Sequence, residues 1–154
     1  INPSSYPQET FDLYSVPIYP TGRPEIISGK EVGSTKQSVS EGDILLCKIN
    51  PHLNRVWTVG VESHRRKIAS SEWIVVRAPF MDAEYLKLFF NSPEFRKQLC
   101  SQVSGVGGSL TRAQPSVVKK YLVPIPPITE QKHIVSAVKR IIDQLDNISA
   151  NLLN

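Results

Sequence analysis

Cysteine is scarce in this chain: there are two, Cys47 and Cys100, far apart. Cys47 lies inside an apolar run and reads as a small core residue, so no disulfide framework is expected and a reduced, cytosolic setting fits best. Long hydrophobic runs are missing as well. Nothing approaches the ~20 apolar residues of a membrane-spanning helix, and no signal peptide is recognisable. The three histidines, His52, His64 and His133, show no metal-ligand spacing with cysteine or with one another. No Gly-Lys-Ser/Thr follows Gly107-Gly108, so that pair is not a phosphate loop. Paired acids with a lysine, as a metal-dependent nuclease would need, are matched only in spacing by Glu130-Gln-Lys132, which falls at a helix start after two prolines. No catalytic residue and no metal ligand can be assigned.

What is present suits one ordinary domain of 154 residues, with 40% hydrophobic content, enough for a core and too high for disorder. Lysine and arginine number 18 against 14 acids, a formal charge of +4. That lean is compatible with nucleic acid without being specific to it. The chain opens on Ile1 and not on Met, as a piece of a longer protein would.

The most informative stretch is Tyr121-Leu-Val-Pro-Ile-Pro-Pro-Ile-Thr-Glu-Gln-Lys-His-Ile134. Tyr121 to Ile125 reads as a short apolar strand stopped by Pro126-Pro127, which cannot donate to a ladder and bar the preceding residue from helix. Thr129 is a candidate N-cap and Glu130 places negative charge in the first turn, where the helix dipole favours it. Apolar residues then recur at Ile134, Val138, Ile141, Leu145, Ile148 and Leu152, alternating steps of four and three, with Val135 and Ile142 widening the seam. That is coiled-coil spacing. The expected helix runs about 25 residues, well beyond the ~11–12 of an average globular helix.

The preceding body predicts α+β: a twisted, mostly antiparallel sheet with a helical insertion. Phe11 to Tyr19 reads as a strand limited by Pro17. Pro20 to Pro24 is a loop, and Gly29 to Lys36 is polar, with the next element expected only after Glu41-Gly-Asp43. Asp43–Ile49 and Arg55–Val61 form a hairpin around Asn50-Pro-His-Leu-Asn54. Lys67–Ala69 adds a short pairing, and Glu72–Arg77 a further strand. Asp82 caps a helix with Tyr85, Leu86, Phe89 and Phe90 on one face. Pro93 restarts it at a first-turn position where its missing N–H is harmless, with Phe95, Leu99 and Val103 buried. A glycine-rich segment, Gly105 to Arg112, and a short helix from Gln114 to Lys120 complete the body.

Pro124-Ile-Pro-Pro-Ile-Thr-Glu-Gln-Lys-His-Ile-Val135 resembles the strand–helix junction of the specificity subunits of type I restriction–modification enzymes. Gly42 to Pro51, Arg55-Val-Trp57, Ala69 to Val75 and Gly107-Gly-Ser-Leu-Thr-Arg112 look like parts of the same family's target recognition domain, in the expected order. The resemblance covers roughly residues 29–148 and implies a DNA target recognition domain over 1–126 and a spacer helix over 127–154. It also implies a non-catalytic chain, with S-adenosylmethionine, ATP and magnesium belonging to partner subunits. The implied partners are double-stranded DNA, a modification methyltransferase, a restriction/translocase subunit in the full complex, and a second recognition domain or second copy through the helix. Consistent with that division, the Asn/Asp-Pro-Pro-aromatic loop of an amino-methyltransferase is absent. The nearest strings, Asn50-Pro-His-Leu and Asn91-Ser-Pro-Glu-Phe, do not fit.

DNA reading needs cations for phosphates and amide or guanidinium groups for base edges. Three loops supply them: Lys48, Asn50, His52, Asn54 and Arg55; Ser109, Thr111, Arg112 and Gln114; and Lys30, Ser34, Thr35 and Lys36. His64-Arg65-Arg66-Lys67 is a concentrated positive charge suited to phosphate. The competing expectation from another class is a coiled-coil assembly module without DNA affinity, in which these loops are solvated turns.

Overall fold

The structure of the chain, a computed structural model, describes residues 1–61, 63–101 and 111–152. Among them are the strands β1 (Thr10–Tyr14), β2 (Glu25–Ser28), β3 (Gln37–Val39), β4 (Ile44–Cys47), β5 (Val56–Thr58), β6 (Arg66–Ala69) and β7 (Trp73–Val76). The helices are α1 (Ala83–Asn91), α2 (Pro93–Ser101), the single turn α3 (Pro115–Val118) and α4 (Ile128–Leu152). The α+β class and the mainly antiparallel pairing agree with the sequence. The strands, however, divide into two sheets: β2-β1-β6-β3, and β5-β4-β7. Every named pairing is antiparallel except β1 with β6, in register Phe11↔Arg66 to Tyr14↔Ala69.

The layers explain the sequence pattern. Tyr14, Val39 and Ala69 from the first sheet meet Leu45, Cys47, Trp57 and Trp73 from the second, and Tyr14, Tyr19, Trp57 and Trp73 pack there edge to face or tilted. Ile44, Leu46 and Val56 point the other way, onto Leu86, Phe90, Phe95 and Leu99 of α1 and α2. β4 is thus covered on both faces, which is why Ile44-Leu-Leu-Cys47 is a continuous apolar run and not an alternating one. On the outer face of the first sheet, Phe11, Leu13 and Ile68 pack with Ile1 and Ile27.

Local chemistry sets the helix starts. The Asp82 carboxylate accepts from the N–H groups of Glu84 and Tyr85, both at 3.0 Å, as an N-cap should. Ser92 Oγ accepts from Phe95 N–H at 3.2 Å with Pro93 opening α2. The helix α4 begins at Ile128, one residue before the expected Thr129 cap, and the Pro127 carbonyl accepts from both Glu130 and Gln131 N–H. Tyr121–Ile125, expected as a strand, is extended but joins no ladder among the described residues. Pro124 removes a donor from its centre, and Leu122 and Ile125 face solvent while Tyr121 and Val123 pack on the helical core. The first strand ends at Tyr14, well short of Tyr19. β2 and β3 lie where no strand was expected, and Lys67–Ala69 proves to be interior to its sheet. Val103 lies outside the described residues.

Candidate nucleic-acid interface and helix joint

The hairpin between β4 and β5 turns through a 3-10 segment, Pro51–Leu53, flanked by Asn50 (φ 49) and Asn54 (φ 43). Both take the left-handed region, which asparagine tolerates better than most side chains. Asn50 N–H donates to Thr111 O and Ala113 N–H to Lys48 O, both at 2.9 Å, around an isolated Ile49↔Arg112 bridge. Two of the three expected loops therefore meet. Lys48 N–H donates to Glu72 O at 2.9 Å, and its Nζ reaches Ser71 O. Arg112 Nη1 sits 2.6 Å from the Glu72 carboxylate. Lys48 and Arg112 thus meet the turn Ser70–Glu72, Asn50 and Thr111 join them through the strand-like pairing, and His52 is exposed on the adjoining hairpin tip, as Arg112 is on the edge.

Gln37, next in the chain to Lys36, reaches the same turn: its amide donates to Ser70 O and Trp73 O, both at 2.9 Å. Lys36 itself bends to Ser34, and burial lowers its pKa from the ordinary lysine value.

Other candidate residues are engaged elsewhere. Asn54 Nδ2 donates to Phe90 O at 3.1 Å, tying the hairpin to the end of α1, while its Oδ1 is buried without a partner. Arg55 Nη1 folds back onto Ile49 O at 3.4 Å and Cys47 Sγ at 3.7 Å. Arg65 and Arg66 lie at the opposite end of β6 from the Ser70 turn. Arg65 Nε is 2.7 Å from Asp12, a carboxylate buried inside β1 that also accepts from Ser63. Arg66 pairs with Glu9 at 2.9 Å and covers the Tyr6 ring. Ser109 lies outside the described residues. His64-Arg-Arg-Lys67 is therefore a set of internal pairs more than a free cationic tip, since Lys67 Nζ also donates to Ser63 O at 2.7 Å. Glu72 and Gln37, which assemble the edge, carry no local signal in the sequence.

The joint between body and helix rests on Gln131, 1% exposed. Its Oε1 accepts from Asp82 N–H at 2.9 Å and its Nε2 donates to Pro126 O at 2.8 Å. Tyr85 OH adds a bond to Pro124 O at 3.1 Å, and Val135 is buried beside the joint. Burial, and secondarily the Glu130 charge, raises the Tyr85 pKa; burial, and secondarily Cys100, raises that of Tyr121. Beyond Val138 the helix leaves the body: every described residue from Lys139 onward is exposed, including Ile141, Ile142, Leu145, Ile148 and Leu152. Of the expected seam, Ile134 and Val138 are half-buried at the base. Among the described residues no group of three or more acids, histidines or cysteines could hold a metal, and no helix is long and apolar enough to cross a membrane.

Two packed sheets, a helical layer and one long helix projecting from a fixed joint define a specific α+β architecture. No family model matches the chain, and no curated protein sequence matches it. Among solved structures it is similar to the HsdS subunit from Thermoanaerobacter tengcongensis, with TM-score 0.81 and 23% identity over 96% of this chain and 40% of that one. It is similar also to a chain from a structure concerned with complex assembly and conformational transition of the type I R-M system, with TM-score 0.80 and 23% identity over 97% of this chain and 40% of that one. The chain has the HsdS fold, body and α4 superposed together, and spans 40% of the length of the chains it matches.

Proposed function

We propose that this chain is a DNA sequence-recognition subunit, or half-subunit, of a type I restriction–modification system. It reads one half of a bipartite DNA target with its body (1–126) and uses the helix (127–154) as the spacer that sets the distance to the other half. The observation that carries this reading is the shared fold over 96% of the chain, with the projecting helix included. The exposed seam on α4 supports it, because an apolar face of this length in water calls for a partner. Length supports it too: 25 residues span roughly 37 Å, close to the ~34–36 Å between sites one DNA turn apart.

On this reading the interface is the edge formed by Lys36, Lys48, Asn50, His52, Thr111 and Arg112, with Ser109 in the adjoining segment. Asn54 and Arg55 shape its hairpin, and Arg65 and Arg66 form a separate end. The chemistry belongs to partners: a methyltransferase subunit using S-adenosylmethionine, and a restriction subunit using ATP and magnesium. The setting is the cytoplasm.

Methylome sequencing of a host expressing the complete system tests this directly. A bipartite methylated target whose one half changes when this body is exchanged supports it; methylation indifferent to the exchange overturns it. The second reading, an assembly module without DNA affinity, is favoured by the internal pairing of Arg55, Arg65 and Arg66. Salt-dependent DNA binding by the purified chain excludes it.

A further inference from the structure

Helix α1 has half of a capping arrangement. Its N-cap, Asp82, accepts the N–H groups of Glu84 and Tyr85. In a complete capping box the third helical residue, Glu or Gln, reaches back to the N-cap's own N–H. Here that residue is Tyr85, whose hydroxyl is occupied 39 residues away at Pro124 O, so the Asp82 N–H has no local acceptor. Gln131 supplies it from the other helix, 49 residues on in the chain. The same amide donates its second bond to Pro126 O, on the double proline that ends the extended segment. One side chain therefore joins three things: the first turn of α1, the Pro126-Pro127 stop and the first turn of α4.

We propose that Gln131 is the positioning residue that fixes the direction of α4 relative to the body, by completing the α1 cap in trans. This inference rests on the spacer reading for its functional meaning, although the joint itself can be measured without DNA. Three observations make the amide the determinant. It is buried, while the Asp82 N–H and Pro126 carbonyl it satisfies belong to half-buried residues, so losing either bond leaves a backbone group without its protein partner. The flanking contacts, Lys139 with Glu84 at 3.9 Å and the Tyr85 hydroxyl, are a long exposed ion pair and a single neutral bond, neither of which sets an angle. The prolines stiffen the chain on one side, so rotation at this joint is resisted by what Gln131 holds together with the buried Val135.

The test uses the full chain with spin labels on Ser116→Cys and Ser149→Cys, in a Cys100→Ser background, diluted into unlabelled chain to suppress distances between copies. Cys47 is buried and stays. The parent should give one narrow distance distribution. Gln131→Met keeps the volume and loses both bonds, and should broaden or shift that distribution while circular dichroism shows a folded body. Gln131→Glu is the conservative rescue. A protonated carboxyl both accepts and donates, as the amide does, whereas the ionised form cannot donate to Pro126 O. Its distribution should be narrow at low pH and broaden as pH rises past the carboxyl pKa, which burial places above the ordinary ~4.3. Asp82, Glu84, Tyr85 and Glu130 also face the joint, and the parent measured at each pH accounts for them. If Gln131→Met does not fold, the pH response of Gln131→Glu decides. A Gln131→Met distribution as narrow as the parent's, or a Gln131→Glu distribution indifferent to pH, overturns the proposal. Failure of the spacer reading would appear separately, as DNA-target spacing unaffected by a broadened joint.

Discussion

Arg112 is held against Glu72 at 2.6 Å on the edge that carries Lys48 and Asn50. An arginine parked on a carboxylate keeps its fork extended, and DNA must outcompete that carboxylate to use it. Arg112→Ala should cost about 1–3 kcal/mol of binding and relax preference at one position if the side chain meets a base edge. Lys48→Ala should instead weaken all sequences alike and reduce the salt slope by about 1 if it meets phosphate; titrations at several salt concentrations separate the two. Asn54→Ala should behave differently again. It removes the side-chain donor to Phe90 O and puts alanine at positive φ, so stability to denaturant should fall by about 1–3 kcal/mol. Alkaline pH offers a further check. The Tyr85 and Tyr121 hydroxyls donate to Pro124 O and Gln98 O, and burial raises both pKa values. A raised tyrosine pKa means that the folded state holds its proton more tightly. The stability these groups give is therefore complete below about pH 10 and is lost as pH climbs through the folded values. Denaturation midpoints should decline there, and less steeply in the Tyr85→Phe, Tyr121→Phe double variant. The sequence revealed which residue types could meet DNA. It did not reveal that Asn54, Arg55, Arg65 and Arg66 have internal partners, because those partners, Phe90 O, Ile49 O, Asp12 and Glu9, are set by tertiary packing.

The helix α4 was legible because its signal is local: an uninterrupted four-and-three spacing after two prolines. The Asp82 cap and the Pro93 restart were legible for the same reason. Tyr121–Ile125 misled because its apolar content suggests a strand while Pro124 withholds the ladder donor; β2 and β3 escaped notice because three or four residues show little periodicity. The exposed half of α4 makes a quantitative demand. Burying the exposed parts of Ile141, Ile142, Leu145 and Ile148, each about half, and of Leu152, 81% exposed, would yield about 1–2 kcal/mol each, roughly 5–6 in all per helix, against an association cost of about 4–15 kcal/mol. The seam alone is near break-even, so a stable pair needs contacts from the body or from a partner's own helix. Light scattering should accordingly find association that grows with concentration, and Ile141→Asp with Leu145→Asp should abolish it without unfolding the body. A parent that stays monomeric at high concentration and in the presence of its partner chains would argue against the spacer role.

For the molecule as a whole, the expectation is that the isolated chain neither methylates nor cleaves DNA, with or without magnesium, ATP and S-adenosylmethionine. Addition of the cognate methyltransferase chain should confer sequence-specific adenine methylation, read by sequencing of the product. Methyl transfer by the purified chain alone would contradict it. What the sequence concealed at this scale is the division of the strands, since the parallel β1–β6 pairing joins residues that no local pattern connects. Its companion ion pair, Arg65 with Asp12, spans 53 residues. The path between them matters for folding. The chain lays down β1, β2 and β3 in one sheet, crosses for β4 and β5, returns with β6 to the interior of the first sheet, and crosses again for β7. A fragment ending at Cys47 would hold one sheet lacking an inner strand and another lacking both neighbours of its centre. Neither sheet is then a folding unit. The body should melt in a single cooperative transition, with no populated half, and refold at the slower pace of proteins whose contacts are distant in sequence.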